Sequence, residues 1–572
     1  MALSKPSSVV SAPRLPLPAC LPPVRERLSP APADVQQLPL PDLLNPVATS
    51  TVDSAGLEKV LTFSFVAGDD AGVLATALDQ APIAASSFEP ACFFEELFVP
   101  ELLRTVLSLE LGHRKIPVQE GYLLRLLAQP PSAPGAVWQR REVWRELAEQ
   151  APRRRAVESV YLSICALRRL FEGEGRVSIR GEHARRRLDV LKSVQQTFAA
   201  MASPELVTSD SALRRIADFA QHVRKSPAMS QLDELLRYEN ERAYADITVQ
   251  LGADGSVRRL SIVRVREDVQ SRYHLPTPMR WFGRAWFWLK GFRVTDGEVL
   301  DGWLDQVFEG VCSFLPPLLQ LLGDLELFLC GACMRDLLVA RGLPVCLPEW
   351  LEESDSATQI TDLYNPLLLA LDVTPVTCSL SLGPLAVATL LTGPNSGGKT
   401  RLLQAVGVLQ LLAQAGMYVP ASTARLARVP GIFASLSQPA SAEQVEGRLG
   451  TELLRIRMLF ERAAPGYLVL IDELCSGTSP SEGEELFRLV LELLEELSPV
   501  ALISTHFLKF AAELARDPSM PKLKFLQVEL DQSERPTYRF VPGVATTSLA
   551  RQTAARLGVT REELRALMQR KR

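Results

Sequence analysis

Gly393-Pro394-Asn395-Ser396-Gly397-Gly398-Lys399-Thr400 follows the short apolar run at 390–392 and precedes an apolar, helix-like stretch at 401–412. The octapeptide fits the pattern G-x-x-x-x-G-K-[ST] in the strand, loop and helix setting that this pattern requires. Its glycines let backbone N–H groups close around phosphate oxygens, and the positive end of the helix adds to the attraction. We therefore predict an ATP site in which Lys399 reaches the β- and γ-phosphates and Thr400 ligates Mg²⁺.

Two further apolar runs end in polar residues. The run at 467–471 leads directly into Asp472 and Glu473, and the run at 500–504 is followed two residues later by His506. We expect Asp472 to hold the Mg²⁺ shell and Glu473 to orient or deprotonate the attacking water. A lone histidine is usually structural, but its position at a third matching strand end favours a contact of His506 with the γ-phosphate.

These motifs resemble those of the MutS family of DNA mismatch-repair ATPases. The phosphate loop, with Thr392 before it, looks like the TGPNxGGK[ST] loop of that family. Four more segments are similar to family motifs, in the same order and at similar spacing: 411–421 after the loop helix, 472–479 with Gly483 beyond it, 505–507, and 548–559. The resemblance covers at least residues 361 to 570.

The resemblance implies an ATPase domain of the ABC class, which holds two nucleotides at a dimer interface. It implies ATP and Mg²⁺ as cofactors, a homodimer formed through the ATPase domain, and DNA as a partner bound through its backbone or its structure. Residues 123–141 and 321–350 resemble, more weakly, the segments that open and close the core helical (lever) domain of the family.

The expected fold class is therefore multi-domain, with a helical core domain, an α/β P-loop domain and a helical pair at the C-terminus. Eleven of the 41 prolines lie in the first 50 residues, a composition that does not pack a core. We predict a disordered tail at 1–55, a helical lead-in at 56–110, and a core helical domain at 111–350 with a small β-hairpin at 246–265. The ATPase domain follows at 361–545, and the helical pair, a dimer-contact segment in the family, at 546–572.

Three departures from the family pattern limit what the resemblance implies. The mismatch-reading domain should precede the core with a Phe-x-Glu wedge, yet only about 110 residues are present there, and Phe93-Phe94-Glu95-Glu96 falls in an apparent helix. The family's DNA clamp is normally inserted within the core helices. Here the hairpin at 246–265 is the only β-structure predicted in that region, so we expect the clamp to be reduced or absent. The loop that reaches the other subunit's nucleotide has Gly447 where the family carries a serine, and Cys475-Ser476 replaces a Gly-Arg pair.

The bulk composition indicates a reduced, cytoplasmic protein, associated with the nucleoid if it binds DNA. The net charge is −4 and the predicted isoelectric point about 6.0, which argues against coating nucleic acid through bulk charge. Nine cysteines are spread thinly along the chain, and we expect Cys330 and Cys333 to be structural thiols one helical turn apart. No stretch qualifies as a membrane span; the most apolar run, at 367–391, is interrupted by Asp372.

Two patterns have both a plain and a functional interpretation. The first is a set of eight arginines that favours a solvated helix face over a phosphate-contacting surface: Arg153, Arg154, Arg155, Arg168, Arg169, Arg185, Arg186 and Arg187. The second is the aromatic and basic segment at 278–293, which more often packs a helix than stacks on bases or meets a membrane surface.

The leading hypothesis is a shortened MutS-like ATPase that closes as a dimer on DNA, in mismatch repair or a related recombination or repair process. Direct mismatch recognition is the less favoured form of this hypothesis, because the Phe-x-Glu wedge is not found. A preference for particular DNA would then depend on contacts with the backbone and on DNA shape. The alternative is a nucleotide-gated scaffold that binds protein or a ribonucleoprotein; the negative net charge and the reduced clamp favour it, and the arginines oppose it. A transporter ATPase is disfavoured because the sequence has no LSGGQ signature.

Overall fold

A computed structural model provides the coordinates. It describes residues 39–112, 114–173, 180–240, 243–251, 257–267, 296–351, 357–383, 388–436, 448–475, 477, 479–547 and 559–570. The predicted aromatic and basic segment at 278–293, Gly447, Ser476 and most of the 548–559 motif therefore lie outside the described residues.

The N-terminal part of the described chain is helical. In chain order its helices are α1 (Ser54–Ala67), α2 (Val73–Gln80), α3 (Val99–Thr105), α4 (Glu120–Ala128), α5 (Pro134–Glu149), α6 (Ala151–Glu172), α7 (Arg180–Met201), α8 (Pro204–Val207), α9 (Arg214–Arg224), α10 (Pro227–Asn240), α11 (Asp296–Cys312) and α12 (Pro316–Ala340). A two-residue ladder joins β1 (Glu110–Leu111) to β2 (Arg114–Lys115). Between α10 and α11, β3 (Ala243–Leu251) and β4 (Val257–Glu267) pair antiparallel where the sequence predicts the hairpin.

Helix α12 is the centre of the helical region. Small residues let its neighbours approach: a Cβ on Gly323 would lie 2.6 Å from the ring of Tyr122, and one on Gly331 would lie 2.7 Å from Nε1 of Trp144. Within the described chain α12 alone is long and apolar enough to cross a membrane, and 94% of its apolar window is buried inside the protein. The expectation that no stretch passes such a test is therefore wrong, and core packing accounts for the composition of this helix.

The predicted N-terminal tail is too long. Residues 39–53 pack against the helical region instead of forming part of a disordered segment, and Leu43 is fully buried. Its backbone N–H donates to Asp324 (3.1 Å), its carbonyl accepts from Gln139 (3.0 Å), and Arg215 donates to the carbonyl of Asp42 (2.7 Å). The proline content predicts disorder, but partners far away in sequence form hydrogen bonds with the backbone of this segment. The segment is therefore ordered although it has no regular secondary structure.

The lead-in at 56–110 is only partly helical. Helices α1, α2 and α3 lie within it, but residues 81–98 form extended chain and turns apart from a single 3₁₀ turn at Pro90–Cys92. Phe93 to Glu96 lie in turns and not in the helix expected for them. Proline at 82 and 90 and the left-handed backbone of Phe98 (φ +54°) interrupt the helical pattern.

The C-terminal part is α/β and contains two sheets. Its strands are β5 (Glu349–Trp350), β6 (Thr358–Leu363), β7 (Cys378–Leu382), β8 (Ala388–Thr392), β9 (Thr423–Leu426), β10 (Ile432–Ser435), β11 (Leu468–Ile471), β12 (Val500–Ser504), β13 (Leu523–Leu530) and β14 (Pro536–Pro542). Its helices are α13 (Lys399–Gln414), α14 (Arg448–Arg462), α15 (Pro480–Leu497), α16 (Leu508–Leu514) and α17 (Arg561–Arg570). The combination of a helical part and an α/β part is thus confirmed.

The larger sheet determines where the candidate site lies. Its strand order is β10-β11-β12-β8-β13-β14, parallel except for the antiparallel edge strand β14. Strands β8 and β11 are buried along their whole lengths, as expected for parallel strands covered on both faces. The carboxyl ends of β8, β11 and β12 therefore meet at one edge, where ligands bind in open α/β sheets.

Candidate nucleotide site at the strand ends

The phosphate loop lies between β8 and α13 and packs against β13. Gly393 (φ +139°) and Gly398 (φ +85°, the residue before α13) have backbone conformations that favour glycine. A Cβ on Gly393 would lie 2.7 Å from Cγ2 of Val528, and one on Gly397 would lie 2.8 Å from the same atom. The glycines of the motif thus serve backbone shape and close contact with β13.

Lys399 is buried within the loop that it terminates. Its side chain is 4% exposed, and Nζ donates to the carbonyls of Gly393 (3.0 Å) and Pro394 (3.1 Å). Burial lowers the pKa of Lys399, while the nearby carboxylates of Glu473 and Asp472 act in the opposite direction. Both of these acceptors are neutral carbonyl oxygens, and phosphate oxygens would be stronger acceptors for the ammonium group.

Asp472 is the point where the phosphate loop and the neighbouring strands meet. One carboxylate oxygen accepts a hydrogen bond from Thr400 Oγ1 (2.5 Å), and the other accepts one from the hydroxyl of Ser504. Its backbone N–H donates to the carbonyl of Ser435 (2.8 Å), which fixes the residue beyond the end of β11. The structure thus brings two of the predicted site residues, Thr400 and Asp472, into direct contact.

Glu473 follows in a left-handed conformation. Its φ of +51° is unusual for a residue with a β-carbon. Its backbone N–H donates to Ser504 Oγ (2.9 Å). Non-glycine residues hold such a conformation only when the surroundings enforce it, and they concentrate at functional sites.

His506 lies just past the end of β12. Thr505 before it is buried and its N–H donates to the carbonyl of Leu391 (3.0 Å), which joins this strand end to β8. The His506 side chain is exposed, and its ring centroid is 4.2 Å from that of Phe507. The structure places His506 at the same edge as the phosphate loop, and its proposed phosphate contact remains a prediction.

The segment after Glu473 forms a second tight region. Cys475 is buried with a left-handed φ of +59°, and the N–H of Gly477 donates to Glu452 on α14 (3.3 Å). A Cβ on Gly483 would lie 3.0 Å from the ring of Phe507, so the glycine of this motif permits close packing of α15 against the third motif.

The residues of the site fit a magnesium ion. Among the described residues no group of three or more His, Cys, Asp or Glu side chains is placed to hold a metal. Mg²⁺, however, is commonly held by one or two protein oxygens together with water and substrate phosphates. Thr400 and Asp472, whose oxygens are already in contact, provide that donor set.

Three residues near the loop escaped sequence reasoning: Val528, Tyr538 and Ser504. Tyr538 on β14 is 48% exposed, has a left-handed φ of +61°, and its ring would lie 3.3 Å from a Cβ on Gly398. No motif identifies these residues, because their proximity depends on the order of strands in the sheet. The feature that draws attention to Tyr538 is an exposed aromatic ring on a residue with a strained backbone, and this feature can be recognised only in the structure.

Most of the eight arginines have structural partners. Arg153, Arg154, Arg168, Arg186 and Arg187 bond to carboxylates or backbone carbonyls within the helical region. Arg155, Arg169 and Arg185 are exposed. Arg153 and Arg187 are buried, so the set as a whole is not the solvated helix face that the sequence favours. Cys330 and Cys333 both lie in α12, as predicted, and burial raises the pKa of both thiols.

The comparisons with known proteins match the part of the chain that contains the candidate site. The family model described as MutS domain V matches residues 389–566. A protein named Endonuclease MutS2 from Thermomicrobium roseum is 36% identical over 199 residues, which is 34% of this chain and 24% of that protein. The protein of the same name from Thermus thermophilus is 33% identical over 281 residues, 48% of this chain and 36% of its own length.

The alignments with these two relatives thus span about a quarter to a third of the relatives' own length. The matched domain begins within β8 and contains the phosphate loop, Asp472, Glu473 and His506. The predicted resemblance to the MutS family is therefore confirmed over residues 389–566, which match a MutS domain V.

Proposed function

We propose that this chain binds ATP with Mg²⁺ at the strand-end site and hydrolyses it, as a DNA-associated ATPase of repair or recombination. The observation that carries the proposal is the contact between Thr400 and Asp472 beside the buried Lys399. A hydroxyl and a carboxylate that meet next to a buried ammonium group provide ligands for a divalent cation and a counter-charge for phosphate.

Each predicted residue has a role in this proposal. The loop N–H groups from Gly393 to Thr400 and the Lys399 ammonium hold the phosphates, and Thr400 and Asp472 hold Mg²⁺, which neutralises phosphate charge when bound. Glu473 orients or deprotonates the attacking water, and His506 contacts the γ-phosphate. Tyr538 offers its exposed ring beside Gly398 as a stacking surface for the base.

Replacing Glu473 by glutamine tests the hydrolysis part of the proposal. Glutamine keeps the size of the side chain but cannot accept a proton, so we expect ATP affinity to be kept and single-turnover hydrolysis to fall by about 10²–10⁴-fold. Glu484→Gln on α15 is the matched control, with unchanged hydrolysis expected. Hydrolysis by Glu473→Gln at the wild-type rate would reject the assignment.

The proposal of DNA binding rests on the MutS domain V and on the hairpin of the helical region. Strand β4 carries four arginines, Arg258, Arg259, Arg264 and Arg266, in a hairpin between α10 and α11. Basic residues on a two-stranded ribbon suit contacts with the phosphate backbone, and such contacts carry no direct sequence information. The nuclease activity in the relatives' name is outside the proposal, because the Thermus thermophilus alignment covers only 36% of that protein.

The salt dependence of DNA binding tests this second part. Phosphate contacts release counterions, so affinity for plain, branched and mismatched duplexes should fall steeply as salt rises. Replacing the four hairpin arginines by glutamine should reduce that slope, while Arg155, Arg169 and Arg185 replaced together serve as the control. Salt-independent binding, or no DNA binding, would instead favour the nucleotide-gated scaffold for protein or ribonucleoprotein.

We further propose that the chain acts as a cytoplasmic homodimer that closes on ATP through the α/β part. Helix α17 supports this proposal, because its apolar side chains are exposed: Leu564, Leu567 and Met568. Such a face is suited to burial against a second copy. Sedimentation of the chain with and without ATP measures this directly, and a monomer under both conditions would reject it.

A further inference from the structure

Ser504 connects the two acidic residues of the candidate site. It is the last residue of β12 and is fully buried. Strand β12 lies between β11 and β8, with Ile503 paired to Ile471 and Ser504 paired to Leu391. The register therefore places the Ser504 side chain between the end of the Asp472 strand and the start of the phosphate loop.

A single hydroxyl makes two contacts there. Ser504 Oγ donates its proton to Asp472 Oδ1 and accepts the backbone N–H of Glu473 (2.9 Å). The first contact orients the carboxylate of one residue, and the second holds the main chain of the next residue. Since Glu473 has a φ of +51°, that N–H lies in a strained turn whose geometry needs support.

Thr400 and Ser504 bind opposite oxygens of the same carboxylate. Thr400 Oγ1 bonds to Oδ2 of Asp472, and Ser504 bonds to Oδ1. Because Thr400 donates its proton in this bond, the lone pairs of its hydroxyl oxygen stay available for Mg²⁺. Ser504 fixes the same carboxylate from its other oxygen, much as outer partners orient the ligands of other metal sites.

We propose that Ser504 is the positioning residue of this site, which sets the Asp472 carboxylate for the divalent cation and the Glu473 backbone for water activation through one hydroxyl. The inference rests on the proposed function and extends it to a residue to which the sequence motifs assign no role. Its action is indirect, because Ser504 touches neither nucleotide nor water in this role.

Threonine and valine at 504 form the decisive pair of variants. They have the same shape and both suit a strand, but only threonine keeps the hydroxyl. Ser504→Ala is the third variant, and Ser422→Ala is the matched control. Ser422 Oγ likewise donates to a carboxylate, that of Asp362 (2.9 Å), and Asp362 also has a left-handed φ (+55°), but this pair belongs to the smaller sheet.

The readout is the affinity of a fluorescent ATP analogue measured with and without Mg²⁺, together with kcat and KM and a thermal melt. In Ser504→Ala and Ser504→Val we expect the Mg²⁺-dependent part of the affinity to fall about 10–100-fold and kcat to fall more than KM rises. Affinity without Mg²⁺ should be unchanged. Ser504→Thr should restore the wild-type Mg²⁺ dependence.

Two results would overturn the inference. One is that Ser504→Val and Ser504→Thr show the same Mg²⁺ dependence, and the other is that Ser504→Ala matches Ser422→Ala in every readout. Lys399→Ala and Thr400→Ala, measured in parallel, separate this failure from failure of the proposed function. If those two variants also bind nucleotide as the wild type does, the nucleotide site itself is wrong.

Discussion

The helical and the α/β parts both bury charged side chains, but the partners of those side chains differ. In the helical part, Asp324 accepts from the N–H of Leu43 and from Tyr122, and Arg140 donates to the carbonyl of Ala415. These bonds hold together segments that are far apart in sequence. In the α/β part, Lys399 and Asp472 bond to groups of the same small site, at the edge where strands β8, β11 and β12 end.

This comparison shows that burial of charge alone does not identify a functional site. Each buried charged side chain in the helical part has partners within the protein. Removing such a partner would leave a buried charge uncompensated and destabilise the fold, so these bonds have a structural role. The charged side chains of the α/β part, Lys399 and Asp472, converge beside the glycine-rich loop. A bound ligand could take the place of their present hydrogen-bond partners, and a residue with strained backbone, Glu473, lies next to them. Convergence at strand ends, and not the number of buried charges, distinguishes the candidate site.

The largest expected effect on stability comes from the buried pair of Arg153 and Glu146. Arg153 is 5% exposed and also donates to the carbonyls of Glu205 and Thr208 (2.9 Å each). Arg153→Leu leaves the buried carboxylate without its counter-charge, so we expect about 3 kcal/mol less unfolding free energy in urea. Arg155→Leu, exposed on the same helix, should cost less than about 0.5 kcal/mol. Equal costs would contradict the structural role of Arg153.

Glu326 should make the stability of the helical part depend on pH. Burial raises its pKa from 4.5 to about 7, although the N–H of Gln119, Arg168 and Tyr161 oppose the shift. The folded protein therefore holds this proton more tightly than the unfolded chain, so the contribution to stability is present below about pH 4.5 and is lost as pH rises to about 7.

Glu326→Gln should remove that loss. We expect unfolding free energies at pH 5 and pH 8 to differ by about 2–3 kcal/mol less in Glu326→Gln than in the wild type. Glu101→Gln, at an exposed position on α3, should keep the wild-type profile. A Glu326→Gln profile that parallels the wild type would show that Glu326 does not titrate in this range.

Tyr538 gives a smaller effect, confined to the α/β part. Loss of its ring in Tyr538→Ala should weaken ATP binding by about 1 kcal/mol, or several-fold, because stacking on an aromatic ring contributes this much per base. Tyr538→Phe keeps the ring and should bind as the wild type does. Equal affinity of the Ala and Phe variants in a nucleotide titration would remove Tyr538 from the site.

The smallest effect is expected at the exposed arginines of the helical part. Arg169→Ala and Arg185→Ala remove side chains on the protein surface, so each should change the unfolding free energy by less than about 0.5 kcal/mol. Arg186→Ala is the internal comparison, since Arg186 donates to the carbonyls of Ser64, Phe65 and Leu170. Its loss should cost more than either exposed arginine, and thermal melts that rank the three otherwise would contradict this.

The same contrast explains what the sequence could predict. Local patterns of residues can be recognised without knowledge of the fold. They include the phosphate loop, the carboxylates after β11 and the helix that contains Cys330 and Cys333. The contact of Val528 with the loop glycines depends on β13 lying beside β8, which no local pattern encodes. Ser504 was unremarkable for the same reason, because its partners belong to other strands and loops.

For residues 39–53 the sequence composition predicts disorder, and this prediction is wrong. Gln139 and Arg215 satisfy the carbonyls of this segment from 94 or more residues away. Composition reports what a segment lacks, namely a core of its own, and not what the rest of the chain provides.

Nucleotide binding by a Lys399→Ala variant tests the central claim most directly. The measurement is titration of the whole chain with a fluorescent ATP analogue and Mg²⁺, for the wild type, Lys399→Ala and the exposed-site control Lys509→Ala on α16. Since Lys399 is the buried ammonium that would face the phosphates, its loss should weaken binding at least about thirtyfold, while Lys509→Ala binds normally. Lys399→Ala with the affinity of the wild type would contradict the assignment of this loop as the nucleotide site.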